Sequence, residues 1–381
     1  MTEIYLDNAA TTRPYAEVCQ VVQHAMAEGF GNTASLHYRG VEAERQVTVA
    51  RQHIRQLVGT SGWDVLFTSG GTEANNLAVR SSCPRGKRNV ILTSSVEHAS
   101  VIDTATRLSE TRGCILHVVG AGESGVVNPG EFAALVSAET ALVTIIHVAN
   151  EMGTVQPVNE IARAVRRIAP RCRVHVDAVQ AAAQLPRLDY GREVDSVTIS
   201  GHKIHGPQGV GALLFRTNSS VKPLFCGGDQ QRGMRPGTLN LPGIAGMGEA
   251  ARITLERRES GSQSMYRHLE TFRQLVCTRT IRQLGDNHHR APGMLILAIE
   301  NIKSEVLLHT LEKYGVLASA GSACHSTRTA PPQCLVDAGL RREDGVLRIS
   351  LNYEITPAEL ATAATRIHTA IEEVRKGKAG Q

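Results

Sequence analysis

The sequence predicts an α/β fold, with a mostly parallel, seven-stranded sheet between helices and a smaller α+β region after it. Three observations carry this. Seven short, nearly continuous apolar runs alternate with helix-like segments over residues 64–215, the pattern of a parallel sheet covered on both faces. Near residue 245 the alternation stops and a second set of elements begins. A chain of 381 residues is also long for one core, since domains usually hold about 100–200 residues.

The expected strands are DVLFTS (64–69), NVILTS (89–94), GCILHVVG (113–120), ALVTIIHVAN (141–150), RVHVDAV (173–179), SVTISG (196–201) and GALLF (211–215). Between them TEANNLAVRSS and NEIARAVRRIA read as helices; in the second, Ile161, Val165 and Ile168 recur at helical spacing. Later, a helical stretch GIAGMGEAARITLERRES runs into polar GSQS (261–264), which reads as a break. The strand-like GMLILAIE (293–300), the helical SEVLLHTLEKYG and the strand-like GVLRISL (345–351) follow. TPAE (356–359) is a capping box, with a threonine N-cap, proline in the first turn and glutamate reaching back. Leu360, Ala364, Ile367, Ile371 and Val374 then line one helical face, and the polar tail RKGKAGQ is expected to fray.

Composition narrows the function. Apolar residues at 42% and charged residues at 20% are ordinary for a globular chain. A net charge of +5 without a long basic arm argues against nucleic acid as the main partner. No apolar run reaches the ~18–20 residues that span a bilayer, and MTEIYLDNAATT has no signal-peptide pattern, so a cytoplasmic protein is expected. The eight cysteines include no CxxC pair, which argues against zinc, iron–sulfur clusters and a disulfide framework. Most are expected to be buried small hydrophobes.

Four segments at successive strand ends bear chemistry. In FTSGGTEANNLAV (67–79) a strand runs through Ser-Gly-Gly-Thr into a helix, offering backbone N–H groups to a phosphate; a plain strand-to-helix turn reads the same way. GxxxxGK[ST] is absent, so no nucleoside triphosphate is implied. In HVDAVQAAAQ (175–184), Asp177 stands where open α/β sheets bind ligands, either as a helix cap or as the partner of a protonated ring nitrogen, with Gln180 near. In SSVEHASV (94–101), His98 is either structural or a ring that stacks on a flat cofactor. In VTISGHKIHGPQG (197–209), Lys203 follows a strand, as a solvated lysine or a reactive one. An anion cradle, a carboxylate, an imidazole and a lysine on one rim are together what pyridoxal 5′-phosphate requires. A metal site on His202 and His205 together with HVD (175–177) is disfavoured by the lysine between the two histidines and the lack of a second acidic cluster.

With those motifs in view, the chain resembles the cysteine desulfurases, fold-type I pyridoxal-phosphate enzymes of the NifS/IscS-like branch of class-V aminotransferases. The likeness runs nearly end to end through YLDNAATT (5–12), TSGGTEANN (68–76), EHASV (97–101), NEMGTVQP (150–157), VDAVQ (176–180), SGHKIHGPQGVG (200–211), RGMRPGTLN (232–240), SAGSACHS (319–326) and LRISL (347–351). It implies a large cofactor-binding domain over 14–255, and a small domain made of 1–13 and 256–381 that carries a mobile loop at about 319–334.

By the resemblance, Lys203 holds pyridoxal 5′-phosphate, Asp177 pairs with the ring nitrogen, Gln180 reaches the phenolic oxygen and His98 stacks on the ring and takes part in proton movement. Gly71, Thr72, Ser200 and His202 bind the phosphate, and Thr238 reaches the phosphate of the neighbouring subunit of a homodimer. Asn150 and Arg348 grip the substrate carboxylate, and Cys324 accepts sulfur. L-Cysteine would give L-alanine and a persulfide on Cys324, passed to a sulfur-acceptor protein for iron–sulfur assembly or thiolation. The setting of Cys324 agrees, with a small, polar, then proline-rich loop and His325 and Arg328 nearby to favour a thiolate; Cys334 reads as a buried, inert thiol.

The chain departs from the family where GNTAS (31–35) replaces the usual GNPSS and where SLNY, with Asn352 and Tyr353, replaces SLGR. SACHS is also similar to the ACHS of selenocysteine lyases, so L-selenocysteine is the alternative substrate. A catalytically weak platform that docks a sulfur acceptor, and a plain aminotransferase or lyase with a dispensable Cys324, are the readings from other classes.

Overall fold

The strand signal of the first two-thirds folds into one sheet. The computed structural model describes residues 2–83, 89–217, 219, 221–321 and 331–379. Its strands are β1 Ile4–Tyr5, β2 Trp63–Thr68, β3 Val90–Ser94, β4 Ile115–Val119, β5 Thr140–Ile146, β6 Arg173–Asp177, β7 Ser196–Ser200, β8 Gly211–Arg216, β9 Ile281–Gln283, β10 Met294–Ile299, β11 Val316–Leu317 and β12 Gly345–Ser350. Its helices are α1 Ala16–Ala27, α2 Tyr38–Val58, α3 Gly71–Ser82, α4 Ala99–Arg112, α5 Pro129–Leu135, α6 Val158–Ile168, α7 Ala181–Gln184, α8 Leu241–Val276, α9 Ser304–Lys313, α10 Gln333–Asp337 and α11 Pro357–Ala379.

The seven-stranded sheet has the order β2-β8-β7-β6-β5-β3-β4. Pairing is parallel from β7 through β6, β5 and β3 to β4, and β8 runs antiparallel to both its neighbours. Its interior strands are buried on both faces. Val90, Leu92, Val143 and Ile145 enter the main core, whereas Ile91 and Leu142 pack on Val79, Val101 and Leu108 of α3 and α4. Burying each such side chain stabilises the fold by about 1.5–3 kcal/mol.

A three-stranded antiparallel sheet, β12-β10-β9, and the pair β1-β11 build a second core. Ile4 and Leu6 join Leu295, Leu297, Leu347, Ile349 and the apolar face of α11 there. That face is the expected one, with Leu360, Ala364, Ile367, Ile371 and Val374 all buried. Thr356 Oγ1 accepts from Glu359 N at 3.2 Å while Glu359 Oε2 accepts from Thr356 N at 2.9 Å, which closes the capping box.

Two expectations fail. GSQS is not a break, because α8 runs through it from Leu241 to Val276. Its small residues serve close packing: a Cβ at Gly261 would come within 2.6 Å of the Tyr353 ring, and Ser262 is buried and donates to Gln184 O at 2.9 Å. The tail does not fray at once either, since α11 continues to Ala379. Among the described cysteines, Cys83, Cys114, Cys172 and Cys334 are buried as expected, but Cys19 and Cys226 are exposed. Among the described residues no helix is long and apolar enough to cross a membrane.

Candidate active site

The C-terminal ends of β3, β5, β6 and β7, with the start of α3, converge on one cavity of about 230 Å³. Right-handed strand–helix crossovers bring parallel strand ends to a common edge, where open α/β sheets place their ligand sites. Gly71, Thr72, His98, Asn150, Asp177 and Gln180 line it, together with Ser200, His202, Lys203 and Arg348. Of the sequence-predicted residues only Thr238 and Cys324 are missing. Thr238 is exposed on the segment before α8, and Cys324 lies outside the described residues.

Lys203 leaves the end of β7 through a short turn, and its Nζ donates to Ala9 O and, at 2.8 Å, to Ala10 O. Gln180 Nε2 donates to the same Ala9 carbonyl at 2.8 Å. The N-terminal DNAATT segment is therefore a wall of the site. His202 docks it, with Nδ1 3.2 Å from Thr11 Oγ1 and its carbonyl accepting from Thr12 N at 2.9 Å. Burial, and then the Lys203 charge, push the His202 pKa down to about 4, so the ring is neutral at pH 7. His205 turns away from the cavity lining: it adopts φ 61°, bonds Arg13 O at 2.8 Å and stacks on Tyr15 with ring centroids 4.4 Å apart.

Asp177 is 2% exposed at the end of β6. Its Oδ1 accepts from Val179 N at 3.0 Å and its Oδ2 from Asn75 Nδ2 at 2.7 Å. His98 caps α4: Nδ1 accepts from Ser100 N at 3.1 Å and lies 2.8 Å from Ser100 Oγ. With Nδ1 an acceptor, the proton of the neutral ring sits on Nε2. Its neighbour Glu97 accepts from Ile146 N and Ser94 Oγ, each at 2.7 Å, and burial pushes its carboxyl up to about 8.

One end of the cavity is built by the start of α3. Its first turn carries N–H groups without helical partners, and the helix dipole adds positive potential there. Ser200 Oγ is buried and finds no partner among the described residues. The approach is tight: a Cβ at Gly71 would meet Val179 Cγ2 at 2.9 Å, and one at Gly211 would meet the Gly70 backbone at 2.5 Å. Arg235 Nε, in the segment that leads to Thr238, pairs with Glu73 Oε1 at 2.9 Å.

Arg348 comes from β12 in the smaller sheet and is 2% exposed. Nη1 donates to Asn150 O and Nη2 to Asp7 Oδ1, both at 3.0 Å. Arg348 Nε and Asn150 Oδ1 are buried and unpartnered among the described residues. A cavity wall with an unsatisfied guanidinium N–H suits a carboxylate guest.

Sequence reasoning missed Asn75, Ser100, His175 and Asp7. Each sits inside a motif already singled out (TSGGTEANN, EHASV, HVD, YLDNAATT), but which member of a motif turns inward is set by tertiary packing. At the two departures, Asn32 Oδ1 accepts from Ala34 N at 3.0 Å, and Asn352 Oδ1 accepts from Ile355 N at 3.0 Å. Tyr353 donates its hydroxyl to Ala183 O. Both segments thus form ordered local turns.

The aminotransferase class-V family model matches residues 4–362. A cysteine desulfurase of Trichormus azollae is 35% identical, covering 98% of this chain and 94% of its own. A solved NifS-like protein superposes with a TM-score of 0.89 at 30% identity, covering 98% of this chain and 100% of its own. The structure described as SspA in complex with cysteine superposes at TM-score 0.79 and 28% identity, covering 92% and 99%. The chain belongs to the class-V aminotransferases, in their NifS-like, cysteine desulfurase branch.

Proposed function

We propose that the protein is a pyridoxal-phosphate-dependent cysteine desulfurase, taking sulfur from L-cysteine and releasing L-alanine. The observation that carries this reading is the meeting of Lys203, Asp177, His98, the α3 N-terminus and Arg348 around one cavity. The donor set fits the cofactor. The orphaned Ser200 hydroxyl and the α3 turn, with Gly71, Thr72 and His202, suit its phosphate; Asp177 suits the ring nitrogen, Gln180 the phenolic oxygen, His98 a ring face and Lys203 its aldehyde carbon. When bound, pyridoxal 5′-phosphate supplies an electron-withdrawing ring that stabilises negative charge at the substrate α-carbon.

The chain's own residues do the rest. Arg348 binds the substrate carboxylate through its unsatisfied N–H, with Asp7 and the Asn150 carbonyl fixing the guanidinium plane. The Lys203 amine, between the Ala9 and Ala10 carbonyls, moves the α-proton, and His98, with its proton on Nε2, is the second proton carrier. We assign the sulfur-accepting role to Cys324 from its motif. Its thiolate attacks the substrate sulfur, the carbon–sulfur pair stays on carbon, and protonation of that carbon gives alanine. Thr238 is assigned to the phosphate of a second copy. Its exposure, and the exposed Phe30, Leu36 and Tyr38, support a homodimer.

The test is alanine release from L-cysteine by cofactor-loaded protein with a reductant present. Lys203→Ala should release none, and Cys324→Ala should keep wild-type cofactor affinity yet lose at least about 100-fold in rate. Wild-type turnover in Cys324→Ala, or none in the wild type, contradicts the reading.

A further inference from the structure

Asn75 is a polar side chain of the site whose position the reaction above does not use. It lies in α3, is 1% exposed and bonds three groups from two other elements. Its Nδ2 donates to Asp177 Oδ2 of β6 at 2.7 Å and to Ser100 Oγ of α4 at 2.8 Å, while its Oδ1 faces His175 Nε2 of β6 at 3.1 Å. His175 Nδ1 in turn lies 2.8 Å from Ser196 Oγ of β7.

With the amide nitrogen toward Asp177, these bonds have one consistent proton assignment. Both Asp177 oxygens accept, Oδ1 from Val179 N and Oδ2 from Asn75, so the amide atom facing Asp177 is the nitrogen. The oxygen then faces His175, whose Nε2 must carry the proton while Nδ1 accepts from the Ser196 hydroxyl. Burial pushes the His175 pKa down to about 3, so this ring keeps a single proton at neutral pH. Ser100, whose oxygen accepts from Asn75, sends its own proton to His98 Nδ1 at 2.8 Å. A flipped amide would set oxygen against the Asp177 carboxylate, a repulsive contact, and would force the His175 proton from Nε2 to Nδ1.

We propose that Asn75 is a positioning residue, with His175 fixing its amide so that it holds the Asp177 carboxylate toward the cavity. The inference rests on the cofactor assignment above and adds to it the group that orients Asp177. It also explains why a histidine is buried in β6 with both ring nitrogens occupied: its role is to set the amide.

The test is equilibrium titration of cofactor-stripped protein with pyridoxal 5′-phosphate, read by the absorbance of the bound form, in the wild type, N75A, N75D and H175F. Thermal midpoints of the stripped proteins report folding. Loss of a bond to a charged acceptor predicts N75A weaker by roughly 10- to 100-fold. N75D, nearly isosteric, should bind more weakly still, because a carboxylate oxygen then faces Asp177. H175F, which frees the amide to turn, should weaken binding by roughly 3- to 10-fold. A residue that only fills space gives the opposite order, with N75D near wild type and N75A worst. That order, or wild-type affinity in N75A, overturns the proposal. Should N75D not fold, N75A and H175F decide: the predicted losses support the proposal and unchanged affinities contradict it. Wild-type protein that binds no pyridoxal 5′-phosphate removes the functional reading as well, whereas a wild type that binds alongside an unaffected N75A removes only the role of Asn75.

Discussion

His98 and its neighbour Glu97 show how burial divides labour between adjacent side chains. Glu97 keeps its proton in the fold, with a pKa pushed up to about 8 by burial, whereas an unfolded glutamate titrates near ~4.3. Its stabilising contribution is therefore complete below ~4.3 and is lost as pH climbs toward 8. Glu97→Gln should gain stability over the wild type as pH rises from about 5 to 8, read from urea midpoints; parallel curves would contradict this. His175 has the opposite sign. With its pKa pushed down to about 3, it withdraws stability as pH falls below the ordinary ~6.5. At the cavity wall, Asp7→Asn removes the carboxylate that holds Arg348 Nη2; it should raise KM for L-cysteine about 3- to 30-fold with a smaller change in kcat, and an unchanged KM would contradict the role given to Asp7. That Lys203, Asp177 and His98 meet at one cavity was legible in the sequence because a polar residue at or just past a strand end stands out. Asn75 and His175 were not, because a buried polar residue is recognised only through partners from distant segments.

Among the elements, strands and capped helices were the most legible. The seven runs became strands because each is short, apolar and bounded by turn residues. The box at Thr356 closed as written. Thr356→Ala should cost about 1 kcal/mol of unfolding free energy, since α11 loses its N-terminal acceptor, and calorimetry or urea unfolding checks it. Helix α8 defeated the reading because Gly261 and Ser262 look like a loop when read locally, and only the Tyr353 ring against them shows why small residues are needed. Gly211 carries a second prediction at this scale. Gly211→Ala would push a methyl group into the Gly70 backbone at the foot of α3 and should weaken pyridoxal 5′-phosphate binding by roughly 10-fold or more. Wild-type affinity in that variant would mean that the α3 turn does not need the close approach.

At the level of the whole molecule, two cores share α8, whose first half packs in the main core and second half in the smaller one. The site draws on both, since Lys203, Asp177 and the α3 turn come from the large sheet while Arg348 comes from β12. Strand order was not written locally, but the reversal of β8 was: only residues 201–210 separate β7 from β8, too few for the helical crossover that a parallel pair needs. The arrangement on which the site depends gathers segments distant in sequence around the amine of Lys203. Its most direct test is borohydride reduction of cofactor-loaded protein, followed by proteolysis and peptide mass analysis. A pyridoxyl group should be fixed on the peptide containing Lys203; a label on another lysine, or none, would contradict this arrangement.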